Sequence, residues 1–274
     1  MKLGVGLFGT ASSISPVELA LLAEEAGFES VWAPEHTHIP VSEATRPDGQ
    51  RLGDMYVSLF DPFVTLAAIA SATSRIRLAT GVCLVVERDP IVTAKEVATL
   101  DVLSGGRVLF GIGGGWNRAE MRNHGTDPTT RFALLEERVN AMKTIWTEDE
   151  PSYHGRFVDF DPIYCWPKPV QSPHPPVLLG GNGPRTLERV VRFADEWMPN
   201  AFGADAFAAR IDKLQRLASE AGRERIPVTA FGCRPDAAGV ARYESIGVDR
   251  CVFWVPSDSR DVALRAFDQL ASLV

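Results

Sequence analysis

The stretch Arg107 to Trp116, RVLFGIGGGW, decides how this chain is read. An apolar run entering Gly111, Gly113, Gly114 and Gly115 invites comparison with a dinucleotide-binding fingerprint. That fingerprint needs the spacing G-x-G-x-x-G, an apolar helix directly after it, and an acid about 20 residues further on for the ribose. Here Gly111, Gly113 and Gly115 give G-x-G-x-G. The residues that follow, Asn117 to Gly125, are too polar for a first crossover helix. The glycines therefore end a strand for another purpose.

Outward from this stretch, short strand-like runs alternate with longer helical patterns along the whole chain. Strands are predicted at Leu3–Phe8, Ser30–Ala33, Ile76–Thr80, Arg107–Ile112, Pro176–Leu179, Glu196–Pro199, Val228–Phe231 and Arg250–Trp254. Helices are predicted at Pro16–Ala26, Pro62–Ser71, Pro90–Leu103, Arg131–Trp146, Pro184–Ala194, Ala206–Ala221, Ala237–Ser245 and Asp261–Leu273. Four helix starts pair a capping residue with a first-turn proline: Ser15-Pro16, Asp61-Pro62, Asp89-Pro90 and Gly183-Pro184. Ser15 and Glu18 also have the S-x-x-E spacing of a capping box. Gly27, Gly105, Gly222 and Gly247 mark helix ends.

Eight strand-helix pairs in 274 residues, about 34 residues each, fit a closed (β/α)8 barrel of α/β class. An open doubly wound sheet is the competing arrangement. No linker or composition shift divides the chain, so a single domain over residues 1–274 is expected. Two connections are long, Glu35 to Asp61 and Glu148 to Pro175. Both are expected to roof the active face.

A net charge of −7 argues against general nucleic-acid or anionic-membrane binding. No apolar run approaches the roughly 20 residues that span a bilayer, and the N-terminal MKLGVGLFG has no signal-peptide architecture. Cys83, Cys165, Cys233 and Cys251 are scattered. Reduced thiols in a cytoplasmic protein are the expectation.

In a barrel, chemistry belongs where strands end and loops begin. Four such places fall at one end: Glu35-His36, Gly81-Val82-Cys83, the opening glycines, and Gly180-Gly181-Asn182-Gly183-Pro184. Glycines at a helix start let backbone N–H groups and the helix dipole meet an anion, and Arg185 adds a cation. The same residues also suit an ordinary tight turn. His36 is the candidate general acid or base, with Glu35 orienting it or sharing the task. The pair also reads as polar residues opening a loop. His36-Thr37-His38 has an H-x-H metal spacing, but the later strand ends add no histidine. Trp32, Trp116 and Trp197 stand near strand ends, where they either flank a planar ligand or pack the rim.

These motifs together resemble the luciferase-like monooxygenase superfamily. The resemblance is carried by Glu24 to His36 (EEAGFESVWAPEH), Thr80-Gly81-Val82, and Lys95 to Arg107 (KEVATLDVLSGGR). Gly111 to Trp116, Glu120 and Gly180 to Gly183 complete it. It is nearest to the oxidoreductases of that superfamily that use the deazaflavin coenzyme F420. The resemblance implies a barrel holding a flavin-like ring at its C-terminal mouth, above a cis peptide at Gly81-Val82. It also implies a phosphate-binding loop at Gly180–Gly183 and a proton-transfer histidine at His36. Gly113 and Trp116 would border the ring. Trp116 stands where sugar-phosphate dehydrogenases of the superfamily carry a catalytic glutamate, which makes that substrate class doubtful. The resulting expectation is hydride transfer between coenzyme F420 and a small organic substrate, in a homodimer. A flavin mononucleotide (FMN) monooxygenase, or a coenzyme-binding protein without turnover, are the alternatives.

Overall fold

The computed structural model describes residues 1–43 and 51–274. Eight parallel strands form the barrel: β1 Lys2–Leu7, β2 Ser30–Ala33, β3 Arg77–Thr80, β4 Val108–Ile112, β5 Val177–Gly180, β6 Glu196–Met198, β7 Thr229–Phe231 and β8 Arg250–Val255. A helix follows each strand: α1 Pro16–Ala26, α2 Pro62–Ala72, α3 Pro90–Ser104, α4 Arg131–Thr147, α5 Thr186–Phe193, α6 Ala204–Glu220, α7 Ala237–Ser245 and α8 Arg260–Ala271. Continuous pairing runs β6-β5-β4-β3-β2-β1-β8-β7. The remaining gap is spanned by single bridges, Trp197 to Val228 and Asn200 to Phe231, so the barrel is nearly closed. This excludes the open doubly wound sheet.

The punctuation acts through identifiable bonds. The Asp61 side chain accepts the Val64 amide, and Asp89 accepts those of Ile91 and Val92. Gly27 and Gly105 end α1 and α3 in left-handed conformation, with φ of 92° and 68°. Two expected caps are absent. The Ser15 side chain makes no cap bond, and Glu18 pairs instead with Arg260 of α8. α5 begins at Thr186 rather than Pro184, because Pro184 and Arg185 lie in a turn closed by the Thr186 amide on the Gly183 carbonyl.

The barrel interior is filled by side chains, as a closed sheet of eight strands requires. Trp32, Ala79, Leu109, Leu178, Met198, Phe231 and Val252 form one buried layer. Below it, Arg250 (3% exposed) binds Glu29 at 2.8 Å and Glu196 at 2.9 Å. Burial opposes the Arg250 charge, but those two carboxylates more than compensate and hold its pKa above the ordinary value. This plugs the N-terminal end and leaves the opposite end open.

The connection from Glu148 to Pro175 does not roof that open end. It joins a helix to the start of a strand, so it runs along α3 toward the plugged end. Its Val170 and Gln171 amides bond Asp101 near the C-terminus of α3. It contains a two-residue antiparallel ribbon, Tyr153–His154 with Asp159–Phe160.

Candidate active site

The C-terminal ends of the strands enclose a cavity of about 760 Å³. Its floor is fixed by backbone pairing that continues beyond β3 and β4. The Cys83 amide donates to the Gly111 carbonyl at 2.7 Å, and the Gly113 amide to that of Cys83 at 3.0 Å. The peptide bond between Gly81 and Val82 is cis, as the family resemblance implied. A Cβ on Gly111 would lie 2.0 Å from the Thr80 carbonyl oxygen, and one on Gly113 2.7 Å from the Val82 side chain. The opening glycines therefore permit close approach of strand ends as well as bordering the mouth. Burial pushes the Cys83 thiol well above its ordinary pKa, so it stays protonated beneath this floor.

His36, just past β2, lies in this cavity and is held at both ring nitrogens. Its Nδ1 is 2.7 Å from Glu120 Oε2, and the Trp116 indole Nε1–H donates to its Nε2 at 3.2 Å. An indole can only donate, so Nε2 accepts and Nδ1 carries the hydrogen toward Glu120. A short helix, Arg118–Asn123, places Glu120, and the Asn117 side chain caps it by accepting the Ala119 and Glu120 amides. Glu120 was part of the sequence resemblance but not a predicted site residue. Its signal was the spacing Asn117-x-x-Glu120 directly after the glycines.

Glu35 does not orient His36. Its carboxylate accepts the Leu84 amide at 2.6 Å and Arg88 Nε at 2.6 Å, while Arg88 also reaches Asp61 and Glu96. Neighbouring residues at a strand end point to opposite sides, which sends Glu35 into this buried ion network. His38 and His124 gather elsewhere: both bond the Thr37 hydroxyl, at 3.0 and 2.7 Å, and His38 Nε2 meets Asn123 at 2.9 Å.

The tryptophans separate cleanly. Trp32 and Trp197 are buried, with indole N–H bonds to Ser30 and the Gly181 carbonyl, whereas Trp116 is 53% exposed in the mouth. Phe8, Tyr56 and Trp254 complete an aromatic wall near His36, with Phe8 4.7 Å from Trp254 and 5.2 Å from Tyr56 between ring centres. Tyr56 comes from the first long connection, which does contribute to the site as expected.

Across the cavity lie Gly180, Gly181 and Gly183, with Val82 and Gly81 between them and His36. A Cβ on Gly181 or Gly183 would meet only Thr186 within 4 Å, so side chains there would fill open cavity space. Asn182 turns away to bond the Asn200 carbonyl, and Arg210 fixes the loop through the Asn182 and Gly183 carbonyls. Arg185 is exposed and outside the cavity lining, one of several arginines around Arg189. A glycine cradle at the start of α5 and a cavity lined by Val82 and aromatic side chains fit a planar ring with a phosphate arm.

The luciferase-like monooxygenase family model matches residues 11–234, and the chain belongs to that family. It is 42% identical over 99% of its length to an uncharacterized protein of Mycobacterium tuberculosis, covering 98% of that protein. It is 29% identical over 82% of its length to the FMNH2-dependent dimethylsulfone monooxygenase of Pseudomonas putida, covering 59% of that enzyme. Its fold matches an F420-dependent secondary alcohol dehydrogenase with a TM-score of 0.78 at 19% identity, covering 100% of this chain and 98% of that one. Its sequence relatives thus include a flavin-dependent monooxygenase, and its fold is shared with an F420-dependent dehydrogenase.

Proposed function

We propose that the protein is an oxidoreductase that moves a hydride between coenzyme F420 and a small organic substrate, with His36 handling the accompanying proton. The observation carrying this reading is the Trp116–His36–Glu120 chain at the cavity mouth, with contacts of 3.2 and 2.7 Å. A bound coenzyme would supply the carbon that gives or takes the hydride. Gly81 and Val82 support the ring, Gly113 and Trp116 border it, and Gly180, Gly181, Asn182 and Gly183 form the loop for the phosphate arm, with Arg185 at its edge. His36 Nε2 is the basic atom. Glu120 holds the ring in the tautomer that leaves Nε2 unprotonated and steadies the positive charge that develops when it takes a proton.

The substrate is an uncharged molecule with a carbonyl or hydroxyl facing His36. Aromatic rings dominate that side, and among the described residues no lysine or arginine lines the cavity. A homodimer through α2 and α3 accords with the exposed Val64, Val92 and Leu103 on those helices. The Pseudomonas relative favours a second reading, an FMN monooxygenase on the same barrel.

Anaerobic mixing with reduced F420 and a panel of ketones, enones and imines tests the assignment. Substrate-dependent oxidation of the coenzyme is expected. Formation of an oxygenated product carrying 18O from labelled oxygen in the presence of reduced FMN, and no anaerobic turnover of F420, would establish the monooxygenase instead. Binding of F420 without oxidation across the panel would leave a carrier protein.

A further inference from the structure

Glu87 ends the short turn Val85–Glu87 between β3 and α3. Its side chain is 1% exposed, and neither carboxylate oxygen has a hydrogen-bond partner among the described residues. The charged groups that face it are all engaged elsewhere. Arg88, next in sequence, binds Glu35, Asp61 and Glu96. His124 brings Nε2 to 3.8 Å of Glu87 Oε2, but that nitrogen bonds Thr37 at 2.7 Å. Burial, with His38 nearby, holds the His124 pKa below its ordinary value, so no cation is provided there at neutral pH. From α4, Arg138 donates to the Val85 carbonyl at 2.8 Å and makes no ion pair with Glu87.

Beside Glu87 packs the helix Arg118–Asn123: its Met121 side chain and Glu87 both border Gly115, its C-cap His124 is the residue 3.8 Å from Glu87, and it carries Glu120, also 1% exposed. Its Oε2 meets His36 and its Oε1 has no partner. An ionised carboxylate buried without donors is costly, and two in one dry region do not both ionise at neutral pH. Only Glu120 has a donor, the His36 Nδ1–H.

We propose that Glu87 and Glu120 carry one negative charge between them, with the proton on Glu87, so that Glu87 sets the charge presented to His36. Glu87 is a positioning residue: it touches neither cavity nor substrate, and acts through Glu120. The inference rests on the reading of His36 as the proton-transfer group only for its functional consequence. Burial, reinforced by the charges of Glu120 and Glu35, pushes the Glu87 pKa up to about 8. Below that value the pair presents one charge, and Nε2 of His36 stays available as a base. Above it Glu87 adds a second negative charge beside Glu120, which draws the His36 Nδ1–H further toward the Glu120 carboxylate and shifts the ring signals without placing a proton on Nε2.

The test is a 15N NMR titration of histidine-labelled protein, with the His36 signals assigned by their loss in His36→Gln. Wild type should show the His36 shifts responding twice, to its own ionisation and again near pH 8. In Glu87→Gln the second response should vanish, while the first midpoint moves by less than about 0.3 units. If Glu87 were already ionised, its removal would lower that first midpoint by about one unit or more, as a lost neighbouring charge does; that result overturns the proposal. A persistent second response in Glu87→Gln overturns it as well. A measurement on the unmutated chain guards against a folding defect. Infrared spectroscopy at pH 7 should show a protonated carboxylic acid that disappears with a midpoint near 8 and is missing from Glu87→Gln. Its absence from wild type refutes the shared proton. None of these readouts uses turnover, so a failed functional assignment of His36 would be seen separately, as unchanged turnover in His36→Ala.

Discussion

Replacing Glu120 isolates the contribution of the acid behind His36. Glu120→Ala removes the carboxylate that accepts the Nδ1–H bond, 2.7 Å long, from a buried site. A hydrogen bond to a charged group contributes about 1.5–3 kcal/mol. At about 1.4 kcal/mol per tenfold, losing it from the transition state lowers kcat by roughly 10- to 150-fold. Glu120→Gln keeps an amide oxygen that accepts the same hydrogen but removes the charge, so a loss of about fivefold is expected, since a neutral bond retains about 1 kcal/mol. Glu120 does not line the cavity, so coenzyme affinity should stay within about twofold in both variants. The assay is single-turnover absorbance change of the coenzyme, alongside a fluorescence titration for affinity and circular dichroism for folding. A kcat for Glu120→Ala within twofold of wild type, in a folded protein, would refute the role given to this acid. So would an equal loss in affinity and turnover.

Three further outcomes follow from neighbouring geometry. Trp116→Phe keeps an aromatic ring but deletes the N–H donated to His36 Nε2, and should reduce kcat by about two- to tenfold, the scale of a neutral hydrogen bond. Gly111→Ala drives a Cβ to 2.0 Å from the Thr80 carbonyl oxygen, which is backbone and cannot rotate away. A loss of about 2–3 kcal/mol is expected, seen by calorimetry as a Tm lower by about 3–6 °C. Glu87, with its pKa up at about 8 from an ordinary 4.5, binds a proton more tightly folded than unfolded. Its stabilising effect is complete below pH 4.5 and is lost as pH rises through 8. Glu87→Gln does not titrate, so its Tm advantage over wild type should grow from pH 5 to pH 8; an advantage that shrinks over that interval refutes the assignment.

Much of the barrel was legible because its signals are local. The alternation of strand and helix, the Asp61 and Asp89 caps, and the glycines after α1 and α3 each act within a few residues. The site was legible only up to strand ends. His36 and Glu120 are 84 residues apart and meet because β2 and β4 are separated by one strand in the closed sheet, which no local pattern encodes. Glu35 looked like the natural partner because it is adjacent, yet adjacency at a strand end sends side chains apart. The Glu148–Pro175 connection misled by its length alone, since direction along the barrel, not length, decides which end a loop covers. Glu87 carried no signal in the sequence, where it stands next to Arg88. Only the packed structure shows that Arg88 is taken by other acids.

The stretch RVLFGIGGGW thus carries two functions in ten residues: its glycines let two strand ends close into a floor, and its tryptophan meets the histidine above it. The central claim, a deazaflavin lying on that floor, is tested most directly by titrating the apoprotein separately with F420 and FMN while following ring fluorescence. The account predicts saturable binding of F420 at least tenfold tighter than FMN, weakened when Gly181 or Gly183 is replaced by a larger residue. Tighter binding of FMN would contradict it.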